Sequence, residues 1–377
     1  MTSVYYVTNR DLAEPMPYPE YGTTVVDPTG AANPLRWGVA DVPTFAGDDE
    51  DRVGTQAIGL RETAQGLPDA AWTSALAGSQ GNHLLVYVHG FNYTFRDAIR
   101  RSAWLSQWFG RAPSPVSGPI VCYSFPSSGR LLDENQSSFD KIFNGSYRQD
   151  YQNATNSAPA VVALLAALQG VVAGFRKANP GGRVTLLAHS LGNHVLANAL
   201  GQAPVPAVPL FDRIISVAGD EAQDCVAAAP PVGSPSLTAA ASWARAVYVY
   251  YHEWDLALWY SGNLHGGDRL GKYGPSVVNG GYDLPANFRV VNCSTASPSP
   301  GPDSLPVDDP DWEHHQYYRL YPWVRDDLAL VMNGVGGVID DPAQDVANFP
   351  NRRAAGQVVG RINLYDPPGL ASSIRQR

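Results

Sequence analysis

The chain has 377 residues, 44% of them hydrophobic, with 36 Gly, 31 Pro and a formal net charge of −9. That is enough apolar material for one large core or two small ones, joined by many loops. The acidic balance and the lack of any Lys/Arg run argue against a nucleic-acid partner, which would need clustered cations against its phosphates, and favour simple solubility.

The first ten residues hold neither a basic segment nor a long apolar one, so no signal peptide is expected. A soluble, cytoplasmic chain follows from that, with export left open if a leader has been removed. Val4–Val7 is a short strand candidate, followed by a Pro/Gly-rich region to about Gly81. Leu84–Val88 is a continuous apolar run, as expected of a strand buried on both faces. Over Thr94–Phe109 the spacing predicts a helix, with Phe95, Ala98, Ile99, Ser102, Leu105 and Phe109 on one stripe.

The strand Ile120–Tyr123 carries Cys122, read as a buried inert thiol. A long polar connection then runs to Ser157, and residues 130–156 within it stand where a lid or cap could sit. The longest apolar stretch, Ala158–Phe175, is interrupted by Pro159, Gln169, Gly170 and Gly174. Its apolar core falls short of the ~20 residues of a membrane span, so a buried helix Pro159–Ala178 is expected and no transmembrane segment. Asn179-Pro180-Gly181-Gly182 ends it.

The strand Arg183–Ala188 leads straight into Ser190 and a helix Leu191–Leu200. Asp212–Ala218 and Arg245–Tyr251 are further strands, and Phe288–Val291 is the last. Ser294–Pro302 reads as an exposed loop. A disulfide between Cys225 and Cys293 is left open, and no C-x-x-C spacing occurs. Strand–helix alternation of this kind predicts an α/β fold, a mostly parallel central sheet covered by helices on both faces, in a single domain over residues 1–377.

The chemistry centres on Ala188-His189-Ser190-Leu191-Gly192. A serine on a sharp turn between strand and helix projects its Oγ above the sheet edge, and small residues two positions either side let the backbones approach. Ala188 and Gly192 meet that need, and the helix beginning at the serine turns its N–H groups and positive dipole end toward a developing oxyanion. The plainer alternative is Ser190 as an ordinary N-cap. A second donor belongs on the loop after an earlier strand, and Val88-His89-Gly90-Phe91-Asn92 has that position. The expected oxyanion donors are the backbone amides of Phe91 and Leu191, with His89 bonding loop backbone rather than acting as a base.

The order for this architecture is serine, acid, histidine. Asp255, after the strand Arg245–Tyr251, is the first choice of acid; Asp220 is the rival, and Glu253 stands too close to the strand end. The base comes from His314 or His315, adjacent in a polar loop, while His265 lies too near Asp255 and reads as a loop residue. No metal-spaced cluster and no cofactor motif is evident. Trp254, Trp259, Tyr260, Trp312 and Trp323 flank the acid and base segments and suggest an aromatic-walled pocket, with core packing as the alternative; of these Trp254, Trp259 and Trp312, with Asn92, are the candidate substrate-binding residues.

Together these segments resemble a bacterial α/β-hydrolase family grouped as a domain of unknown function. Val7-Thr8-Asn9-Arg10 is similar to its amino-terminal strand end, and Tyr87-Val88-His89-Gly90-Phe91-Asn92 to its oxyanion segment. Ser124-Phe125-Pro126-Ser127 matches its S-W-P-S element with Phe for Trp. Ala188–Asn193 is similar to its elbow, and Asp255–Ser261 resembles its D-x-A-L-x-x-S segment, which favours Asp255 as acid. Arg269-Leu270-Gly271 is similar to a nearby R-x-G. His315-Gln316-Tyr317-Tyr318 resembles its H-x-Y-Y ending, which favours His315 as base. The region before residue 81 and the stretch beyond Tyr318 depart from the pattern. The resemblance implies the α/β-hydrolase fold and its triad, but no substrate.

The expected function is therefore a serine hydrolase acting on a small-molecule carboxylic ester through an acyl-enzyme. An acyltransferase or amidase/peptidase using the same triad, and a non-catalytic binding protein on the same fold, are the alternatives. Oligomeric state has no signal in the sequence.

Overall fold

The computed structural model of the chain describes residues 1–14, 20–27, 29, 34–45, 50, 53–128, 139–296, 314–334, 349, 352–354 and 361–364. In chain order β1 (Thr2–Thr8), β2 (Arg10–Glu14), β3 (Glu20–Val25), β4 (Arg36–Val42) and β5 (Gly59–Gln65) precede α1 (Ala70–Ala77). There follow β6 (His83–Val88), α2 (Phe95–Gly110), β7 (Ile120–Ser124), α3 (Phe139–Asn156), α4 (Ala158–Ala178), β8 (Arg183–His189), α5 (Leu191–Leu200) and β9 (Phe211–Val217). The chain continues with α6 (Ala240–Trp243), β10 (Ala244–Tyr251), α7 (Leu256–His265), α8 (Leu270–Tyr273), the small hairpin β11 (Val277–Val278) and β12 (Gly281–Tyr282), and β13 (Phe288–Asn292). Last come α9 (Tyr317–Leu320), α10 (Pro322–Met332), β14 (Arg352–Ala354) and β15 (Arg361–Leu364).

Eleven of these strands form one sheet in the order β14-β15-β13-β10-β9-β8-β6-β7-β1-β4-β5. Every neighbouring pair from β15 through β1 is parallel. The strands added at the two ends, β14 on one side and β4 and β5 on the other, run antiparallel. This is the expected α/β architecture, and β8, which delivers Ser190, lies near the middle of it.

Alternate residues of a strand point to opposite faces, so the apolar runs feed two cores at once. On β6, Leu84, Val86 and Val88 join the layer that holds Leu164, Leu165 and Leu168 of α4. Leu85 and Tyr87 join the other, with Ile99, Trp104 and Leu105 of α2 and Val324 and Leu328 of α10. Each fully buried Leu or Val side chain contributes about 1.5–3 kcal/mol through removal from water. That explains why α4, long and apolar enough to cross a membrane by length and composition, has Leu164, Val171, Val172 and Phe175 packed in the core. At α2 the expected boundary is sharpened by a capping box, in which Thr94 accepts from the Asp97 N–H and Asp97 from the Thr94 N–H.

Three expectations are corrected, and one open question is answered. The Pro/Gly-rich region before Gly81 holds β2 to β5 and α1, whose Trp37 and Trp72 pack edge to face at 5.1 Å in the core. The polar connection to Ser157 is largely the helix α3, and of the proposed lid segment only residues 139–156 fall among those described. Phe288–Val291 does not end the sheet, because β15 pairs in parallel with β13. Finally, Cys225 and Cys293 are separate buried thiols with no disulfide.

Candidate active site

Ser190 sits between β8 and α5 with φ 51° and ψ −123°, a strained combination for a residue with a side chain. Its side chain makes no cap hydrogen bond to α5, so it does not serve as an ordinary N-cap. Neighbouring backbone holds the turn instead: the Ser190 N–H donates to the Val217 carbonyl at 3.1 Å, and the Ser190 carbonyl accepts from the Asp220 N–H at 3.1 Å. The Asn193 amide, one turn into α5, donates to the carbonyls of Ala188 at 3.1 Å and Ser190 at 3.2 Å. The small neighbours have a geometric reason. A Cβ on Gly192 would come within 2.6 Å of the His89 carbonyl oxygen, and one on Gly90 within 2.8 Å of the Ser190 Cβ. The crowding therefore lies between the start of α5 and the end of β6.

The loop after β6 lies against this turn. His89 is fully buried; its Nδ1 donates to the Gly90 carbonyl at 2.8 Å, and its Nε2 accepts from the Ser124 hydroxyl at 3.2 Å. Burial holds its pKa down at about 3, and the Arg10 charge lowers it further. The imidazole is neutral at neutral pH and binds loop backbone, as expected. Asn92 adopts the left-handed conformation at φ 65°. Its side-chain Oδ1 is buried with no hydrogen-bond partner among the described residues.

Across the sheet edge, His315 Nδ1 donates to Asp255 Oδ2 at 2.7 Å. Asp255 also caps α7, its Oδ1 accepting from the Leu258 N–H at 2.8 Å, so both carboxylate oxygens are fixed. Burial raises the Asp255 pKa, opposed by the charge and hydrogen bond of His315. Next to the serine, His189 Nε2 donates to the His315 carbonyl at 3.2 Å, and the two rings lie 4.8 Å apart. Tyr317 ties the same segment down, accepting from the Ala218 N–H at 2.7 Å and donating to the Tyr250 carbonyl at 2.9 Å. His314 turns elsewhere, stacked on His252 at 4.7 Å with its Nδ1 3.3 Å from the Tyr321 hydroxyl. His315, then, meets Asp255, and His314 does not.

The rival acid, Asp220, is also buried, yet its carboxylate is occupied by other groups. It accepts from the Tyr147 hydroxyl at 2.6 Å and the Ser261 hydroxyl at 2.5 Å, with Arg269 Nε at 3.3 Å. Burial works against its charge, but Arg269 and the two hydroxyls hold its pKa below the usual carboxylate range. The conspicuous Ser261 and Arg269 thus serve Asp220. Gly271 must be glycine, since a Cβ there would meet the Ala218–Gly219 peptide at 2.2 Å. His265 joins this cluster too, its Nε2 3.3 Å from the Tyr147 hydroxyl.

Trp254 and Trp259 are 39% and 46% exposed, which sets aside the core-packing alternative for both, whereas Trp323 is buried and packs in the core, not in a pocket wall. Trp254 directly precedes Asp255 in the chain and lies 5.9 Å from the His314 ring; Trp312 lies outside the described residues. Among the described residues, no group of three His, Cys, Asp or Glu side chains is arranged to hold a metal ion. Sequence reading gave no role to Asp150 or Asn193. A buried carboxylate on a polar helix has no local signature, whereas the Asn directly after the elbow glycine was in view.

The parallel sheet with antiparallel ends, and the strained strand-to-helix turn at its centre, define the α/β-hydrolase fold. Residues 69–297 match the family described as alpha/beta hydrolase of unknown function (DUF900), and the chain belongs to that family. No curated protein matches the chain. Among solved structures it is similar to the catalytic core of acetyl xylan esterase from Trichoderma reesei, at 14% identity over 67% of this chain and 98% of that one, TM-score 0.32. An esterase from Pyrobaculum calidifontis is 11% identical over 68% of this chain and 78% of its own, TM-score 0.32. Likeness of that degree carries no argument about activity.

Proposed function

We propose that the chain is a serine hydrolase that cleaves carboxylic esters of small molecules through an acyl-enzyme. Two observations carry this reading: the strained Ser190 at the head of α5, and the buried His315–Asp255 pair at 2.7 Å, whose imidazole lies 4.8 Å from the ring of His189, the residue before the serine. Ser190 Oγ adds to the ester carbonyl carbon as its proton passes to His315 Nε2, and the carbonyl electrons become an oxyanion. The amides of Phe91 and Leu191 receive that oxyanion. Collapse restores the carbonyl and breaks the bond to the alcohol oxygen, which takes the proton from His315. Water then repeats both steps and releases the acid. Asp255 keeps the proton on Nδ1 so that Nε2 is the basic nitrogen. Trp254 and Trp259 form the apolar rim against which an acyl or aryl group packs.

The test is turnover of p-nitrophenyl esters of graded chain length, together with fluorophosphonate labelling. Wild type should hydrolyse the short esters and take label at Ser190. Ser190→Ala should lose both, with kcat down by several orders of magnitude, because triad members act as a unit. A Ser190→Ala variant as active as wild type overturns the assignment. Matched ester and amide substrates separate an esterase from an amidase.

A further inference from the structure

The Phe91 amide belongs to the Gly90–Phe91 peptide. In a trans peptide the carbonyl and the N–H point in opposite directions, so whatever holds the Gly90 carbonyl also aims the Phe91 N–H. His89 Nδ1 holds that carbonyl at 2.8 Å. His89 is in turn fixed by the Ser124 hydroxyl, which accepts from Arg10 Nε at 3.0 Å. Arg10 is fully buried at the corner between β1 and β2 and reaches further: Nη2 donates to the Tyr93 carbonyl and Nη1 to the Ser127 carbonyl, each at 2.9 Å.

The next peptides are held from the other side by Asp150 of α3, also fully buried. Its carboxylate accepts from the Asn92 N–H at 3.3 Å, the Ser128 N–H at 3.0 Å and the Ser127 hydroxyl. Ser127 meanwhile accepts from the Tyr93 N–H at 3.0 Å. Every hydrogen-bonding contact from residue 90 to 93 named here thus leads, directly or through one serine, to His89, Arg10 or Asp150. An unpaired buried charge is costly. The Arg10 and Asp150 charges act on one another, and each carries hydrogen bonds from this loop region.

We propose that Arg10 and Asp150 are positioning residues for the oxyanion site: between them they set the peptide planes from Gly90 to Tyr93 and so the aim of the Phe91 N–H. This rests on the esterase reading. It gives a task to the Thr8-Asn9-Arg10 corner, to the Ser124–Ser127 strand end and to the polar helix α3, none of which supplies a reacting group.

The test uses the full chain and two mild variants, Asp150→Asn and Ser124→Ala, with p-nitrophenyl butyrate and an alkylboronic acid that forms a tetrahedral adduct on the serine. A misdirected donor should lower kcat by about 10- to 100-fold with KM held within about two-fold. Boronic acid affinity should fall by a similar factor in variants whose thermal unfolding remains cooperative. Unchanged kcat in both variants, or a loss of kcat with boronic acid affinity intact, overturns the proposal while leaving the esterase reading in place. If Asp150→Asn fails to fold, Ser124→Ala decides, since it removes only a hydroxyl. A wild type without turnover or label at Ser190 removes the esterase reading and this inference with it.

Discussion

His315 Nδ1 lies 2.7 Å from Oδ2 of Asp255, a residue 60 positions earlier in the chain. That distance gives different partners to two buried aspartates that sequence order alone left in competition. Asp255 touches the imidazole, whereas Asp220 holds Tyr147, Ser261 and Arg269.

Opposite consequences follow for the two carboxylates. Asp255→Asn keeps the volume but favours the wrong tautomer of His315, and kcat should fall by about 10³–10⁴-fold with fluorophosphonate labelling correspondingly slow. Asp220→Ala leaves Arg269 buried without its partner, which should cost roughly 3–5 kcal/mol of stability. Denaturant unfolding and steady-state kinetics on both variants check this. Were Asp220→Ala stable and inactive while Asp255→Asn kept full activity, the acid would be Asp220.

Steric crowding at the elbow makes a second prediction. Gly192→Ala sets a methyl 2.6 Å from the His89 carbonyl oxygen, and Gly271→Ala sets one 2.2 Å from backbone at Ala218. Neither neighbour is a flexible side-chain end, so each variant should lose at least about 1–3 kcal/mol. Gly170→Ala, on α4 with open space around the added atom, should instead gain about 0.5–1 kcal/mol through helix propensity. Melting temperatures of the three variants test the contrast, and a stable Gly271→Ala would contradict it.

The elbow was legible because its requirements are local: an apolar strand, a serine between small residues, then helix-forming sequence. Asp255 and His315, the proposed acid and base, were picked out only through chain order, and the choice of His315 over its neighbour rested on resemblance. What separates the pair physically is backbone: His314 takes φ 51° and stacks on His252, leaving the next side chain to face Asp255. Helix α3 escaped notice because its inward positions, Tyr147, Asp150 and Ala154, do not read as an apolar stripe. The strands β2 to β5 were hidden by the Pro and Gly around them, and β14 and β15 by their shortness and distance from β13.

Acid should destabilise the fold through buried neutral histidines. His83 and His89 have pKa values lowered to about 3, mainly by burial, whereas an unfolded histidine titrates near 6.5. Between these values the unfolded chain binds more protons, so stability rises with pH. The contribution is fully present above about pH 6.5 and is lost as pH falls toward 3, on the order of 5 kcal/mol for each residue. Urea unfolding from pH 7 to pH 4 should show this slope, and it should shrink in His83→Gln, whose partner is the Thr185 hydroxyl at 3.1 Å. An identical slope in that variant would remove His83 from the account.

The far edge of the sheet depends on a charge pair that resembles neither the acid nor the elbow cluster. Arg352 of β14 meets Asp327 of α10 through two contacts, 2.7 Å and 2.8 Å, and Asp327 also accepts from the Tyr250 hydroxyl at 2.5 Å. Both charges are buried, and the guanidinium covers the Phe349 ring at 3.6 Å. Such a pair adds little beyond an apolar replacement of the same shape, but removing one member strands the other. Asp327→Ala should therefore lose roughly 3–5 kcal/mol, while Asp327→Ala with Arg352→Met should recover part of that loss. Because Arg352 stands on the edge strand β14, five places from β8 in sheet order, kcat per folded molecule should change little in the double variant. A double variant no more stable than Asp327→Ala would mean that the loss comes from the Tyr250 hydrogen bond and not from the stranded guanidinium.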